Sequence, residues 1–185
     1  WNPRRLDRAV PRPQGLPRRV DQIEGLTLIE VNSGDDEHLR IWNELMLREH
    51  PLHDCRLVGR QLRYLIGSAH GWLGGIGLGS SALYLESRDK WIGWDEDQRA
   101  EHHERVVNVT RFLIRKSVQC ENVASHVLGL CARRAAKDFR RRYGLEPWLL
   151  ETFVDQEQYA GICFQAANWI CVGQTKGRGR NGSKK

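Results

Sequence analysis

Polar side chains that include Glu151, Thr152, Asn168 and Gln174 are embedded in a short, mostly apolar and aromatic stretch near the end of the chain. A polar group in such a stretch costs free energy if it is buried without a partner. Clusters of this kind concentrate at functional sites, and a satisfied structural network is the alternative. The surrounding pattern predicts a strand, a short helix with an aromatic face and a second strand, over residues 147–155, 158–169 and 170–175. Glu151 is therefore a candidate catalytic residue.

A strand pattern at residues 105–114 carries a second set of polar candidates. Strict alternation along a strand places Asn108 and Thr110 on one face and Arg111 on the other. Asn108 and Arg111 are candidates for orienting a substrate.

The helix that begins near residue 122 offers a third candidate position. The first backbone N–H groups of a helix can hold an anion, and His126 lies in this first turn. Ordinary capping by Asn122 or Ser125 explains the same residues without a ligand. Both interpretations remain open from the sequence.

Metal chemistry has a weaker signal. Glu151 and Asp155, with Asp89 upstream, could supply the clustered carboxylates that a metal-dependent nuclease needs. Capping at the end of a strand is the alternative for the same acids. The run from His50 to Cys55 lacks the paired ligand spacing of a structural metal site, so no metal is predicted.

Charge is distributed unevenly along the 185 residues, whose net charge is +6. Residues 1–19 and 173–185 each carry a net +5, which leaves −4 for the residues between them. Basic arms often contact nucleic acid phosphates, and solubilising ends are the alternative. Basic residues also crowd the second half of the long helix, where complementing the helix dipole is the other explanation. The candidate nucleic-acid-binding residues are Arg4, Arg5, Lys176, Arg178 and Arg180 in the arms, and Arg140 and Arg141 on the helix.

The remaining pattern predicts one α/β domain with a mixed α+β sheet and a basic, disordered arm at each end. Residues 1–22 hold four of the six prolines and many arginines, a composition typical of an extended arm. The predicted units are an arm at 1–22, a single domain at 23–175 and a Gly-rich basic tail at 176–185. The predicted strands lie at 26–31, 60–68, 73–85 and 105–114, and the helices lie at 33–50, from 95 onward and at 121–144.

Several features concern the setting of the protein. Five cysteines, an odd number without a CxxC pair, indicate free thiols in a reducing compartment. The chain has no secretory signal pattern and no apolar run near 18 residues, so we expect a cytoplasmic protein without a membrane partner. The first residue is Trp1 rather than Met, which indicates a processed product or an excised fragment.

Six runs of sequence together resemble the DruA-like family: LVGRQLRYLI, RDKWIGWDEDQR, VVNVTRFLI, ASHVLGLCARR, LLETFVD and AANWICVGQTKGRGR. The resemblance extends from about Val31 to Arg180, and the run HPLHDC at 50–55 departs from it. Members of this family occur in Druantia anti-phage systems and beside insertion-sequence transposases. The resemblance implies a role in phage defence or in mobile-element DNA transactions. It also implies nucleic acid as a partner, with other defence-system or transposase proteins as further partners.

The order of predicted elements is similar to that of the GNAT acyltransferase superfamily. In that superfamily, a Gly-rich loop before the long helix holds the pyrophosphate of coenzyme A. The matching stretch here, residues 118–124, contains Gln119 but no glycine, and Glu121 would repel a pyrophosphate. The resemblance thus supports a GNAT-like fold more than acyl-CoA use. Gln119, Asn122 and Ser125 are weak candidates for cofactor binding, and the cofactor itself is unknown.

Two alternative functions remain open, and with them the question of whether the protein is an enzyme. One is an acyl-CoA-dependent N-acyltransferase, in which Glu151 or His126 deprotonates an amine while Asn108 and Arg111 orient the substrate. The other is a metal-dependent nuclease that uses Glu151 and Asp155.

Overall fold

A computed structural model of the protein describes residues 2–175, which form one mixed sheet with α-helices on both faces. The strands of this described part are β1 (Thr27–Glu30), β2 (Leu62–Ser68), β3 (Gly71–Ser80), β4 (Val106–Ile114) and β5 (Leu149–Glu151). Its α-helices are α1 (Asp36–Arg48), α2 (Glu86–Ile92), α3 (Glu96–His102), α4 (Val123–Tyr143) and α5 (Ile162–Ala166).

The strands lie in the order β1-β2-β3-β4-β5. Neighbours are antiparallel except for β4 and β5, which are parallel and connected by α4. The predicted mixed α+β sheet is confirmed. The short helix α2 was not predicted, because seven residues carry little helical periodicity.

Two apolar cores lie on opposite faces of the sheet. On one face, the buried side of α4, including Val127 and Phe139, packs against residues such as Ile76 of the central strand. On the other face, Trp42 and Met46 of α1 pack in a second core. The helix pattern at every fourth position of α4 placed its buried side correctly.

Glycines in β3 allow α1 to approach the sheet closely. A Cβ atom at Gly75 would lie 2.9 Å from the Met46 methyl and 3.1 Å from the Trp42 indole nitrogen, and one at Gly77 would lie 3.0 Å from the same indole ring. These positions therefore exclude a side chain for reasons of space. The glycine-rich pattern marks a helix contact rather than only a bend in the strand.

A β-bulge in β4 changes which side chains share a face. Gly77 pairs with Arg111, but the next residue of β3 pairs with Val109, which leaves Thr110 as the extra residue. Val109 and the residue after Arg111 both pack in the α4 core. Asn108 and Arg111 therefore lie together on the α1 face of the sheet. The prediction from strict alternation, which put them on opposite faces, is wrong because of the bulge.

The predicted strand–helix–strand unit at the end of the domain is only partly formed. β5 is limited to three residues, which pair with β4 before its bulge. Beyond them, the Thr152 hydroxyl donates to the Val109 carbonyl, so a side chain replaces a backbone ladder bond. The helix α5 has five residues, and residues 170–175 are not a strand. The second predicted strand is therefore wrong.

The N-terminal segment is extended but packed on the domain, so the expected disorder does not hold for residues 2–22. Val10 is only 5% exposed and packs in the core on the α1 face of the sheet. The Arg115 guanidinium, 2% exposed, donates to the carbonyls of Val10, Pro11 and Trp72 and pairs with Glu49 at 2.8 Å. This one side chain holds the N-terminal segment, β3, β4 and α1 together.

We expect Arg115→Met to lower the free energy of unfolding by about 3–5 kcal/mol, because three carbonyls and a carboxylate lose a buried cationic partner. Lys116→Met is the matched control. Lys116 is exposed and bonds to no residue between 2 and 175, so its loss should change stability by less than about 0.5 kcal/mol. Urea unfolding measures both. Equally small effects would show that Arg115 does not hold the N-terminal segment.

Candidate functional site

The structure brings two of the predicted catalytic candidates together. Asn108 of β4 is the direct neighbour of Glu151 in the parallel pairing with β5, so their side chains share one face. The Asn108 Oδ1 atom is sealed from solvent and accepts no hydrogen bond within residues 2–175. His126, in contrast, is exposed in the first turn of α4, which packs on the opposite face.

Glu151 lies in a buried ion cluster that the sequence pattern did not predict. The Arg88 side chain, 4% exposed, pairs with Asp89 at 2.8 Å and with Glu151 at 3.2 Å. It also donates to the Ala82 carbonyl at 3.0 Å. The sequence did not predict this cluster because it did not predict the helix α2, which places Arg88 and Asp89 in the interior. The adjacent Arg-Asp pair within an otherwise tryptophan-rich run was the one available hint.

The charges around Glu151 oppose one another. Burial raises the pKa of Glu151, Arg88 lowers it by its charge and hydrogen bonds, and Asp89 raises it further. A raised pKa makes a carboxylate a better proton acceptor than an ordinary one, and here it lies beside an unpartnered amide oxygen. The carboxylate is nevertheless held by Arg88, so its first role in the structure is to fix β5 to α2.

The carboxylates proposed for a nuclease do not converge. A guanidinium already lies between Asp89 and Glu151. Asp155 accepts hydrogen bonds from the Glu157 amide and the Gln158 side chain and thereby closes a local turn. Within residues 2–175, no three His, Cys, Asp or Glu residues are grouped so that they could hold a metal.

Arg111 forms hydrogen bonds with the loop at residues 54–56. Its Nε donates to the Asp54 carbonyl at 2.7 Å, and its Nη2 donates to the Arg56 carbonyl at 3.1 Å. Its Nη1 donates to the carbonyl of Thr110. All three nitrogens are thus occupied by backbone oxygens, and the role in orienting substrate stays a prediction.

The N-terminal segment covers the start of α4. The Glu121 amide donates to the Arg18 carbonyl at 2.7 Å, the Val20 amide donates to the Glu121 carbonyl, and the Arg18 and Glu121 side chains pair at 2.8 Å. Neither predicted cap acts through its side chain on the first N–H groups: Asn122 has a left-handed backbone, and the Ser125 hydroxyl donates to the Asn122 carbonyl. Gln119 is exposed beside this junction.

Most of the predicted nucleic-acid-binding arginines have acidic partners. Arg4 pairs with Asp36 at 3.1 Å, and Arg5 forms two hydrogen bonds with the buried Glu44. Arg140 pairs with Glu146, and Arg141 with Glu30 and Asp138. The predicted contacts Lys176, Arg178 and Arg180 lie outside the described residues.

Two basic residues of α4 that the sequence reasoning did not single out have no such partner. Arg133 and Lys137 are both exposed, and neither forms an ion pair or hydrogen bond within residues 2–175. They are one turn apart and therefore lie on the same side of the helix.

A family model described as Druantia protein DruA matches residues 17–182 of the chain. The protein belongs to the DruA family. The resemblance stated from the sequence runs is thereby confirmed, and it links this DruA-family protein to the Druantia anti-phage system. Comparison with curated proteins gave no match, and comparison with solved structures gave none. The GNAT-like arrangement therefore stays a prediction.

Two observations bear on the setting and on thiol chemistry. No helix within residues 2–175 combines the length and apolar character needed to span a membrane. All five cysteines are free thiols. Burial raises the pKa of Cys131 to about 12, which removes it as a nucleophile at neutral pH.

We expect Glu151→Gln to change the free energy of unfolding by no more than about 1.5 kcal/mol at neutral pH, because burial already disfavours the charged form and the amide keeps the shape. Arg88→Met should cost about 3–5 kcal/mol, since it leaves two buried acids without a cation. Chemical unfolding measures both. If Glu151 has a chemical role, the folded glutamine variant loses phage protection, and full protection would contradict that role.

The pH dependence of stability has a defined sign. The pKa of Glu151 is higher in the folded than in the unfolded state. Glu151 therefore contributes its full share to the free energy of unfolding at a pH below its unfolded-state pKa, and this contribution is lost as the pH rises through its folded-state pKa. The stability of the native protein relative to Glu151→Gln should therefore be greater in mild acid than at pH 7. The opposite trend would mean that Arg88 outweighs burial.

Acetyl-coenzyme A should not bind more tightly than about 100 μM, or about 5.5 kcal/mol. A pyrophosphate needs unobstructed N–H groups at the helix start, and here Glu121 and the N-terminal segment lie beside them. Isothermal calorimetry with the full chain tests this. Low-micromolar binding would contradict it and favour the acyltransferase hypothesis.

Proposed function

We propose that this DruA-family protein contacts nucleic acid phosphates through the exposed side of α4 and does so during phage defence. The observation that carries the proposal is the pair Arg133 and Lys137, two exposed cations one turn apart with no acidic partner in the described part of the chain. Unpaired cations at this spacing suit electrostatic contact with a phosphate backbone.

The charge around this pair supports the proposal. α4 carries six Lys and Arg residues between 133 and 142 against Asp138. Glu30 and Glu146 neutralise part of this charge through their ion pairs with Arg140, Arg141 and Arg142. Six cations against three acids leave a net charge of +3 on this surface, which we call the α4 basic face.

The arginines of the N-terminal arm differ in whether the fold already pairs them. Arg4 and Arg5 form ion pairs with Asp36 and Glu44 of α1, so acids within the fold already neutralise their charges. Arg8 and Arg12 are exposed without a partner in residues 2–175. The sequence of the C-terminal tail supplies further cations, among them Lys176, Arg178 and Arg180.

The double reversal Arg133→Glu/Lys137→Glu should weaken binding to a short DNA duplex by at least about tenfold and lower the salt slope of log K by about two. The matched control is Arg8→Glu/Arg12→Glu, which changes the net charge equally on unpaired residues of the N-terminal segment. Fluorescence anisotropy at several salt concentrations measures both, and phage protection in cells gives the biological readout.

An equal loss in the two double variants would show that net charge rather than the α4 basic face controls binding. Undiminished binding in both would move the contact to the C-terminal tail. A transposition assay beside the phage assay would show whether the same surface serves mobile-element DNA transactions with a transposase.

The second candidate function is N-acyl transfer. The observation that favours it is the pairing of Asn108 with Glu151 where the parallel strands β4 and β5 meet, together with the raised pKa of Glu151. This arrangement places an amide and a proton acceptor side by side. The calorimetric test with acetyl-coenzyme A separates this candidate from the first.

A further inference from the structure

Arg63 of β2 is the only arginine of the described residues, 2–175, that is at least partly buried and yet has neither a hydrogen bond nor an ion pair from its side chain. Every other arginine withdrawn from solvent in this part of the chain bonds to a carboxylate or a carbonyl, as Arg88 and Arg115 do. Burying a charged group without a partner costs free energy, so the unpaired state of Arg63 needs a physical explanation.

The geometry around Arg63 leaves one side of its guanidinium available. The group stacks over the Trp42 ring at 5.1 Å from the ring centroid, and its Nε is sealed from solvent. The two Nη atoms also lack partners but are not sealed, so they reach the surface. Two parallel N–H donors at the end of a planar fork match the oxygens of a carboxylate or phosphate group.

The neighbourhood of Arg63 is positively charged. Arg63 and Arg111 flank Gly77 on adjacent strands, and the charge of Arg142 acts on Arg63 as well. Burial lowers the pKa of Arg63, and Arg142 adds to this effect. The nearby acids are already engaged, since Asp54 pairs with Arg111 and Glu30 pairs with Arg142. After these ion pairs the charge of Arg63 itself is left without a partner, and an anionic group with two oxygens would supply one.

We propose that Arg63, stacked on Trp42, binds a phosphate-type oxyanion end-on through its two Nη atoms. This site lies on the α1 face of the sheet and is separate from the α4 basic face. Its ligand could be free phosphate or a terminal phosphate of nucleic acid, which share the same recognition chemistry.

Thermal unfolding in phosphate and in chloride at equal ionic strength tests the site. The native protein should gain about 2–4 °C in phosphate, because a ligand that binds only the folded state raises the transition temperature. Arg63→Met should lose this gain and should unfold in chloride no earlier than the native protein. Arg63→Lys, which keeps the charge but not the fork, should retain less than half of the gain.

Arg105→Met is the matched control. Arg105 also stacks on a tryptophan, Trp148, at 4.7 Å, but it donates to the Glu146 carbonyl. This variant should keep the full phosphate gain. An equal phosphate gain in native protein and Arg63→Met, or no gain in native protein, would overturn the proposal.

Oligonucleotides distinguish the two sources of phosphate. A dinucleotide with a 5′-phosphate that competes with inorganic phosphate in the native protein, while its unphosphorylated form does not, would assign a nucleic acid end as the ligand. Competition by neither form would assign free phosphate, provided the Arg63-dependent gain is present.

Discussion

Trp42 lies against the bare backbone of β3, and this contact sets the distance between α1 and the sheet. Its indole is fully buried and donates to the Ile76 carbonyl at 3.3 Å. A side chain at Gly75 or Gly77 would meet the ring at about 3 Å and displace it. The platform for Arg63 depends on the same contact, since a shifted indole would no longer support the guanidinium.

Arginines connect separate segments of this fold through polar contacts that add to the apolar cores. Arg115 fixes the N-terminal segment, Arg88 fixes α2 to β5, and Arg111 fixes the loop at Asp54. The number of arginines and the net charge of +6 are therefore a poor guide to how many cations are free to contact a partner. Arg133 and Lys137 differ from Arg140 and Arg141 of the same helix because no acid in the described part of the chain pairs with them.

The strong periodic patterns of the sequence predicted β1 to β4, α1 and α4, because each buries an apolar face of several residues. The family resemblance identified the DruA family independently of that reading. Short elements and local irregularities could not be predicted from the periodic pattern. The bulge at Thr110 places Arg111 on the opposite face from the one that alternation predicts. The buried partner of Glu151, Arg88, lies on the seven-residue helix α2. The packing of residues 2–22 was also not predicted, because a segment rich in proline and arginine gives no sign that Val10 is buried.

Lysine footprinting in the presence of DNA tests the central claim most directly. Three described lysines report on separate surfaces: Lys137 on the α4 basic face, Lys90 on α2 and Lys116 at the end of β4, all exposed. Mass spectrometry after acetylation should show Lys137 protected by DNA, with Lys90 labelled as in the free protein. Protection of Lys90 with Lys137 left reactive would contradict the assignment of the α4 basic face as the contact with nucleic acid.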